Sequence, residues 1–356
     1  MKIALVNDTN PSYCPYHAIY ETILKENNLD YDVIYWNRLN NDESVGIQYR
    51  SKYQVNSTWR KILEFIKYSC FVKRTITTGN YDRIILFSPA LAIFISSFWS
   101  KRMKGKYIMD YRDLSIEQIS IFKRAFKNTL EHSFANVISS PGFKKFLPQG
   151  FDYIMSHNFD INLAKKVVSG MMDKEPFPED IIDVLTIGGI RDYESNVEVI
   201  DALAGKADVK LRFVGRGPSA KDLEDYSKEK GASNIFFTGY YKKEDEASFI
   251  KDCTFINIFY PRKNSHDSAI SNRFYHALIH RKPIIVTANT VQGDFAVRYK
   301  LGVAEVNCES LYQDLQDFLK GYKYDDFAAQ CDALLKEFIE DYDKFKAMVN
   351  SFLLKG

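Results

Sequence analysis

Cysteine is scarce in this chain of 356 residues. Its five copies, Cys14, Cys70, Cys253, Cys308 and Cys331, are odd in number and far apart, with no CxxC pair. That spacing argues against a disulfide framework and against a zinc site, and a reducing compartment suits it best. Glycine and proline number only 17 and 10, which excludes collagen-like and low-complexity classes. The longest apolar run, Ile84 to Trp99, is broken by Ser88, Pro89, Ser96 and Ser97. It falls short of the roughly 20 residues of a spanning helix, so a buried strand followed by a buried helix is expected there. The start, MKIALVNDTN, turns polar after Val6, too early for the apolar core of a signal peptide, and a cytoplasmic protein is expected. Net charge is nearly absent too: 48 Lys and Arg stand against 46 Asp and Glu, and 46% of the residues are hydrophobic, which excludes disorder.

What is present is uneven. Residues 51 to 150 carry 17 basic and 6 acidic side chains, whereas residues 151 to 200 carry 4 and 10 and residues 301 to 356 carry 6 and 11. Basic charge concentrated in one stretch attracts phosphates in nucleic acid, in anionic lipid or in a lipid-linked pyrophosphate. Within it WRKILEFIKYSCFVKR at Trp59 to Arg74, FWSKRMKGK at Phe98 to Lys106 and IFKRAFK at Ile121 to Lys127 interleave aromatics with Lys and Arg. These segments read either as amphipathic helices with solvated basic faces or as a peripheral surface for an anionic inner leaflet. No recognised nucleic-acid module accompanies them, so no nucleic-acid partner is expected.

Short β-branched runs alternate with amphipathic stretches twice over, the pattern of two α/β domains with parallel sheets. Strands are expected at Lys2 to Val6, Tyr31 to Trp36, Arg83 to Phe87, Lys106 to Met109, Asn136 to Ser139 and Tyr153 to Met155. A second series falls at Ile182 to Ile187, Lys210 to Val214, Ile235 to Thr238, Phe255 to Ile258, Pro283 to Thr287 and Val303 to Val306. The clearest helices in the first half are Tyr16 to Lys25, Trp59 to Arg74, Leu91 to Met103 and Ile116 to His132, the last with Ser115 as cap. The tail from Tyr324 to Leu354 is helical as well. The acidic, proline-bearing DKEPFPED reads as an exposed linker, giving domains at 1–165 and 166–339, with a C-terminal helix at about 340–356 that could pack back on the first.

Chemistry is suggested where the second series of strands ends. After Ile187 come Gly188, Gly189, Ile190 and Arg191; after Phe213 and Val214 come Gly215, Arg216, Gly217 and Pro218; after Phe237 and Thr238 come Gly239 and Tyr240. Each is a strand breaking at glycine on the edge where doubly wound sheets bind ligands, and backbone amides with Arg191 could hold a phosphate there. Singly, each is equally a tight turn. Next, YPRKNSHDSAISNRFYHALIHRKPIIVT at Tyr260 to Thr287 runs a polar loop with Arg262, Lys263, His266 and Asp267 into a helix capped near Ser268 or Ser271. The amino end of such a helix is an anion site, against the alternative of a solvated charged loop.

Asp183 to Val306 resembles the nucleotide-sugar domain of GT-B glycosyltransferases of the family-four type, the kind found in bacterial capsule, O-antigen and exopolysaccharide assembly. Members commonly show an arginine after the first glycine turn, a VGxGP turn, an FxG turn and a helix of the form NKLYEALAxGKPVI. The counterparts are Arg191, FVGRGP at Phe213 to Pro218, FTGY at Phe237 to Tyr240 and NRFYHALIHRKPIIV at Asn272 to Val286. In the first half MDYRDLS at Met109 to Ser115 is similar to the DxRD stretch of such enzymes, and SHNFD at Ser156 to Asp160 lies near their interdomain link.

The resemblance implies two Rossmann-like domains facing each other across a cleft, the first holding the acceptor and the second the donor. The donor site would comprise Gly189, Arg191, Gly215, Gly217, Gly239, Tyr240, Lys263, His266, Ser268, Ala269, Ile270, Ser271, Asn272, Arg273 and His276. Asp110, Arg112 and Asp113 would face the sugar, or else form a structural ion-pair cluster. If transfer inverts the anomeric centre, Asp110, Asp113 or His17 is the candidate base. The family's two glutamates, eight positions apart, fall on Ser268 and His276, and Asp267 is a candidate replacement carboxylate. The usual lysine after the first-turn arginine is missing near Asn196 and Val197, with Lys263 or Arg273 able to compensate. Expected partners are a nucleotide-diphosphate sugar, a saccharide or polyprenyl-linked acceptor and the membrane surface, with no cofactor and no metal. A degenerate partner protein that binds without transferring, or another nucleotide-sugar enzyme such as an epimerase, is the alternative.

Overall fold

The computed structural model describes all residues except 41, 42, 44, 45, 52–57, 172–180 and 355–356. The expected DKEPFPED linker lies outside the described residues. The chain divides into two compact units, Met1–Asn158 with Asp341–Gly356, and Phe159–Glu340.

The first unit is built on a seven-stranded sheet of β1 (Ile3–Asn7), β2 (Tyr31–Asn37), β3 (Ile47–Arg50), β4 (Arg83–Leu86), β5 (Tyr107–Tyr111), β6 (Ala135–Ile138) and β7 (Tyr153–Met155) in the order β3-β2-β1-β4-β5-β6-β7. Every pairing in it is parallel. Central strands such as IALVN of β1 and YIMDY of β5 are buried throughout, because crossover helices cover both faces of a parallel sheet. Against its cover lies the end of the helix Tyr324–Leu354: Phe345 meets Tyr20 edge-on at 5.1 Å, and the Arg83 Nε donates to the Phe352 carbonyl at 2.8 Å.

The second unit carries β8 (Ile182–Ile187), β9 (Val209–Val214), β10 (Ile235–Gly239), β11 (Phe255–Ile258), β12 (Ile284–Thr287) and β13 (Gly302–Glu305), ordered β10-β9-β8-β11-β12-β13. Its pairings are also all parallel. Alternate residues of β8 feed two cores. Leu185 and Ile187 pack with Phe274, Leu278, Leu334 and Phe338, while Val184 packs with Val199, Leu203, Phe213 and Leu315. In each sheet the order reverses beside the first strand, between β1 and β4 and between β8 and β11. Ligands of doubly wound sheets bind outside the carboxyl ends of strands at such a reversal.

Two expectations are corrected. The helix over Leu91 to Met103 is two helices, Pro89–Phe94 and Ser96–Arg102, parted at Ile95, whose φ of −122° and ψ of 37° are not helical. Ser115 does not cap an α-helix: it precedes a single 3₁₀ turn, Ile116–Gln118, makes no capping bond, and the α-helix begins at Ser120. The polar loop after Tyr260 carries a short helix of its own, Asn264–Ser268, and of the two caps expected for the next helix, Asn272–Ile279, it is Ser271 that caps it. The Ser271 hydroxyl accepts from the Phe274 N–H at 3.4 Å and donates to Gln292 Oε1 at 2.8 Å.

Candidate functional site

In the second unit a pocket of about 480 Å³ opens at the carboxyl end of β8, next to the reversal of strand order. Its walls come from the turn after β8 (Gly188, Gly189, Arg191, Asp192), from the segment after β10 (Tyr241, Lys243, Glu246), from the loop after β11 (Tyr260, His266, Ala269), from the helix starting at Asn272, and from Gln292.

The turn is held by backbone and by a buried arginine. The Gly188 N–H donates to the Val214 carbonyl at 2.8 Å and the Ile190 N–H to the Arg216 carbonyl at 3.1 Å. A Cβ on Gly215 would lie 1.9 Å from the Gly188 oxygen, and one on Gly217 would lie 2.0 Å from the Ile190 oxygen, so both glycines are required by the close approach of two turns. Arg273 donates to the carbonyls of Ile187 at 2.5 Å, Gly189 at 2.9 Å and Asn257 at 3.2 Å. Its guanidinium therefore fixes the turn. Arg191, in contrast, is exposed at the rim, and among the described residues its side chain makes no hydrogen bond or ion pair.

Across the pocket Glu246 gathers three partners. Its Oε1 accepts from the Tyr241 hydroxyl at 2.8 Å, and its Oε2 meets Lys243 Nζ and, at 3.2 Å, His276 Nε2. Burial raises the carboxyl pKa, but Lys243 leads the opposing interactions that leave it below the ordinary glutamate value, with His276 and Tyr241 adding to them. Burial likewise pushes His276 down, against the pull of Glu246. His266 Nδ1 lies 3.1 Å from the Pro261 carbonyl, which directs the neutral ring to carry its proton there and leaves Nε2 as an acceptor. The pocket thus combines a carboxylate, exposed cationic side chains and a capped helix amino end, a set suited to a ligand with both phosphates and hydroxyls.

Of the expected donor residues, the pocket brings together Gly189, Arg191, His266, Ala269, Ser271, Asn272, Arg273 and His276. Gly215, Gly217, Gly239, Tyr240, Lys263, Ser268 and Ile270 do not line it. Tyr240 is exposed with Arg216 over its ring at 5.1 Å, Lys263 reaches Asp192 at 3.8 Å, and Ser268 is fully buried. Asp267, the candidate carboxylate, is also outside the lining and is clamped by Arg262, whose Nε and Nη2 both donate at 3.0 Å. Sequence reasoning missed Lys243, Glu246 and Gln292. The first two sit in the charged run YYKKEDE after the FTGY turn, where nothing separates a pocket residue from a solvated one.

In the first unit Asp110 and Arg112 form a buried ion pair at 2.5 Å at the end of β5. Tyr20 donates to the same Asp110 oxygen at 2.7 Å, and Arg112 reaches the Ser156 carbonyl and hydroxyl at 2.9 and 3.0 Å. Asp113 stands apart: it is exposed, and its Oδ1 accepts the Leu114 N–H at 2.8 Å. His17, packed between Tyr16 and Phe87, has its pKa lowered to about 4 by burial first and by Arg112 second. Among the described residues Asp110 Oδ1, Arg112 Nε and His17 Nε2 are buried without a hydrogen-bond partner.

Two parallel-sheet Rossmann-like units, with a pocket at the reversal of the second sheet, define the GT-B fold. Solved structures share it over their whole length. Sucrose-phosphate synthase from Thermosynechococcus elongatus is 13% identical, with full coverage of both chains and a TM-score of 0.70. Anabaena Alr3699/HepE in complex with UDP-glucose is 14% identical, with 99% of each chain covered and a TM-score of 0.69. WaaG, a glycosyltransferase involved in lipopolysaccharide biosynthesis, is 12% identical over 99% of this chain and 100% of that one, with a TM-score of 0.63. No protein-family model and no curated protein sequence matches the chain.

Proposed function

We propose that this protein is a glycosyltransferase that binds a nucleotide-diphosphate sugar in the second-unit pocket and passes the sugar to a saccharide. The acceptor is proposed to be lipid-linked, in bacterial surface polysaccharide assembly at the cytoplasmic face of the membrane. The observation that carries the reading is the pocket itself: Arg191 free at one rim, Lys243 at the other, and the Ser271-capped helix amino end, all at the reversal of a doubly wound sheet. The known structures of this fold include Anabaena Alr3699/HepE with UDP and with UDP-glucose.

Two phosphates leaving the anomeric carbon need positive charge, and Arg191, Lys243 and the helix N–H groups are proposed to supply it without a metal ion. In a retaining course the departing phosphate takes the proton of the attacking hydroxyl, so no protein base is called for. A carboxylate towards the donor's hydroxyls would come from Glu246 rather than from positions 268 and 276.

The test is titration calorimetry with UDP, GDP, dTDP, ADP and CMP, each with magnesium and with EDTA. One diphosphate should bind with or without magnesium, and Arg191→Ala should weaken it by roughly 1.5–3 kcal/mol, the scale of one charge-assisted hydrogen bond. No heat with any nucleotide, or an Arg191→Ala affinity equal to the parent's, would sink the proposal. A second reading, a binding partner that does not transfer, is favoured by the serine and histidine at positions 268 and 276. Slow hydrolysis of the matching nucleotide sugar, present in a transferase and absent in a scaffold, separates the two.

A further inference from the structure

The helix Thr58–Gly79 turns apolar side chains outward. Trp59, Ile62, Leu63 and Ile66 are all exposed, Trp59 to 78% and Leu63 to 56%, and Cys70 continues the line. Steps of four, three and four from Trp59 through Leu63 and Ile66 to Cys70 place them in one stripe along the outer face. The opposite face is satisfied: Tyr68, Val72 and Ile76 are buried in the core of the unit. A soluble helix is expected to be polar on its outer face, so an outward stripe of this kind marks a surface that another phase or molecule covers.

Charge indicates what covers it. Arg60, Lys61, Lys67, Lys73 and Arg74 are all exposed on the same helix. Its sole carboxylate, Glu64, is buried and held by the Tyr49 hydroxyl at 2.9 Å and Lys67 at 2.6 Å. The surface extends beyond one element. Phe65 packs on Phe94 at 5.1 Å and Phe94 on Phe122 at 6.3 Å, which joins the helix to Ser120–His132, where Ile121 is 78% exposed among exposed Lys123, Arg124 and Lys127. Apolar side chains in the middle with lysines and arginines alongside match the layering of a bilayer interface, acyl chains beneath anionic headgroups. A nucleic acid offers phosphates but no place for Leu63, Ile66 and Ile121. No described helix is long and apolar enough to cross a membrane.

We infer that the outer face of Thr58–Gly79, with the start of Ser120–His132, docks on the surface of an anionic lipid bilayer. Trp59, Leu63 and Ile66 enter the headgroup boundary, and Lys73 and Arg74, which flank the stripe, meet the phosphates. The inference deepens the lipid-linked acceptor proposed above but rests on this surface alone; vesicle binding is read without donor or acceptor, so its failure would leave the nucleotide site standing.

Trp59 provides the measurement. The other two tryptophans, Trp36 and Trp99, are buried, so the solvent-exposed part of the emission belongs to Trp59. Vesicles of phosphatidylglycerol and phosphatidylcholine should shift that emission to the blue and carry the protein into the pellet, with weaker binding as salt is raised. Trp59→Phe should abolish the shift while the protein still sediments. Leu63→Ser with Ile66→Ser should lower the partition coefficient at least roughly tenfold with little change in melting temperature, since both side chains are exposed, Leu63 to 56% and Ile66 to 42%. Lys73→Gln and Arg74→Gln should each cost roughly fivefold on anionic vesicles and little on pure phosphatidylcholine. Equal sedimentation of the parent and the Leu63/Ile66 variant, or Trp59 emission indifferent to vesicles, would overturn the inference. So would a dimer on size exclusion that the Leu63/Ile66 variant abolishes in a protein that ignores vesicles, because the occupant would then be a second copy of the chain. Binding to a short DNA duplex at vesicle-like affinity, insensitive to that variant, would also overturn it.

Discussion

Arg191 and Arg273 attend the same glycine turn and do opposite things. Arg273 is buried and spends its nitrogens on the carbonyls of Ile187, Gly189 and Asn257, whereas Arg191 keeps its guanidinium in solvent at the pocket rim. Both were legible in the sequence as cations near a turn, but which was committed depends on burial. Its neighbours Phe274, Ala277 and Leu278 hint that the helix turns this side to the sheet. The clearest titrating residue lies in the other unit. His17 is held neutral by burial, with a pKa of about 4 against an ordinary 6.5. The unfolded chain binds its proton first as pH falls. Stability from this group is therefore complete above pH 6.5 and drains away towards pH 4, by about 3 kcal/mol. Chemical denaturation at stepped pH should show the decline, and His17→Phe should flatten it; a parallel decline in the variant would assign it elsewhere.

Among the elements, the glycine turns can be ranked by what a methyl group would meet. At Gly215 a Cβ would strike the Gly188 oxygen and φ is +138°, while at Gly239 φ is +74° but the space is open. Gly215→Ala should cost roughly 3 kcal/mol or more and Gly239→Ala roughly 1–2 kcal/mol, measured by urea unfolding. Similar losses would mean that backbone conformation, not crowding, dominates at Gly215. The sequence showed three equivalent glycine turns and could not rank them, because the close approach at Gly215 is made by a different strand's turn. Twelve of the thirteen strands among the described residues were legible as β-branched or apolar runs. The exception, β3, is the edge strand IQYR, partly exposed and with one β-branched residue, so its pairing to β2 rather than its own composition makes it a strand. The break at Ile95 escaped for a related reason: no glycine or proline stands there, and the Ser96 and Ser97 that follow are compatible with a continuing helix.

At the scale of the molecule, the alternation of strands and helices was enough to show two parallel sheets, because it recurs along the chain. That alternation leaves open where the C-terminal helix expected at about 340–356 belongs; the first unit is discontinuous, taking in Asp341–Gly356 after the whole of the second. That segment buries Phe345, Val349, Phe352 and Leu353, and places Asp341 Oδ2 3.2 Å from His157 Nε2. At roughly 1.5–3 kcal/mol for each buried apolar side chain, its removal withdraws as much stability as a domain ordinarily has. Deleting Asp341–Gly356 should therefore leave Met1–Asn158 open to limited proteolysis while Phe159–Glu340 stays resistant. Uniform resistance would show that the segment is dispensable.

The same discontinuity sets an order of events at the ribosome. Synthesis delivers Met1–Asn158 before Phe159–Glu340, yet Tyr20, Arg83 and Phe134 wait for partners at Phe345 and Phe352 that follow the whole of the second unit. The later-made unit has all of its own residues available sooner after its synthesis begins. The first unit must therefore stay unfinished while the whole of the second is translated, with apolar surface exposed, and this is the interval in which a nascent-chain chaperone has most to bind.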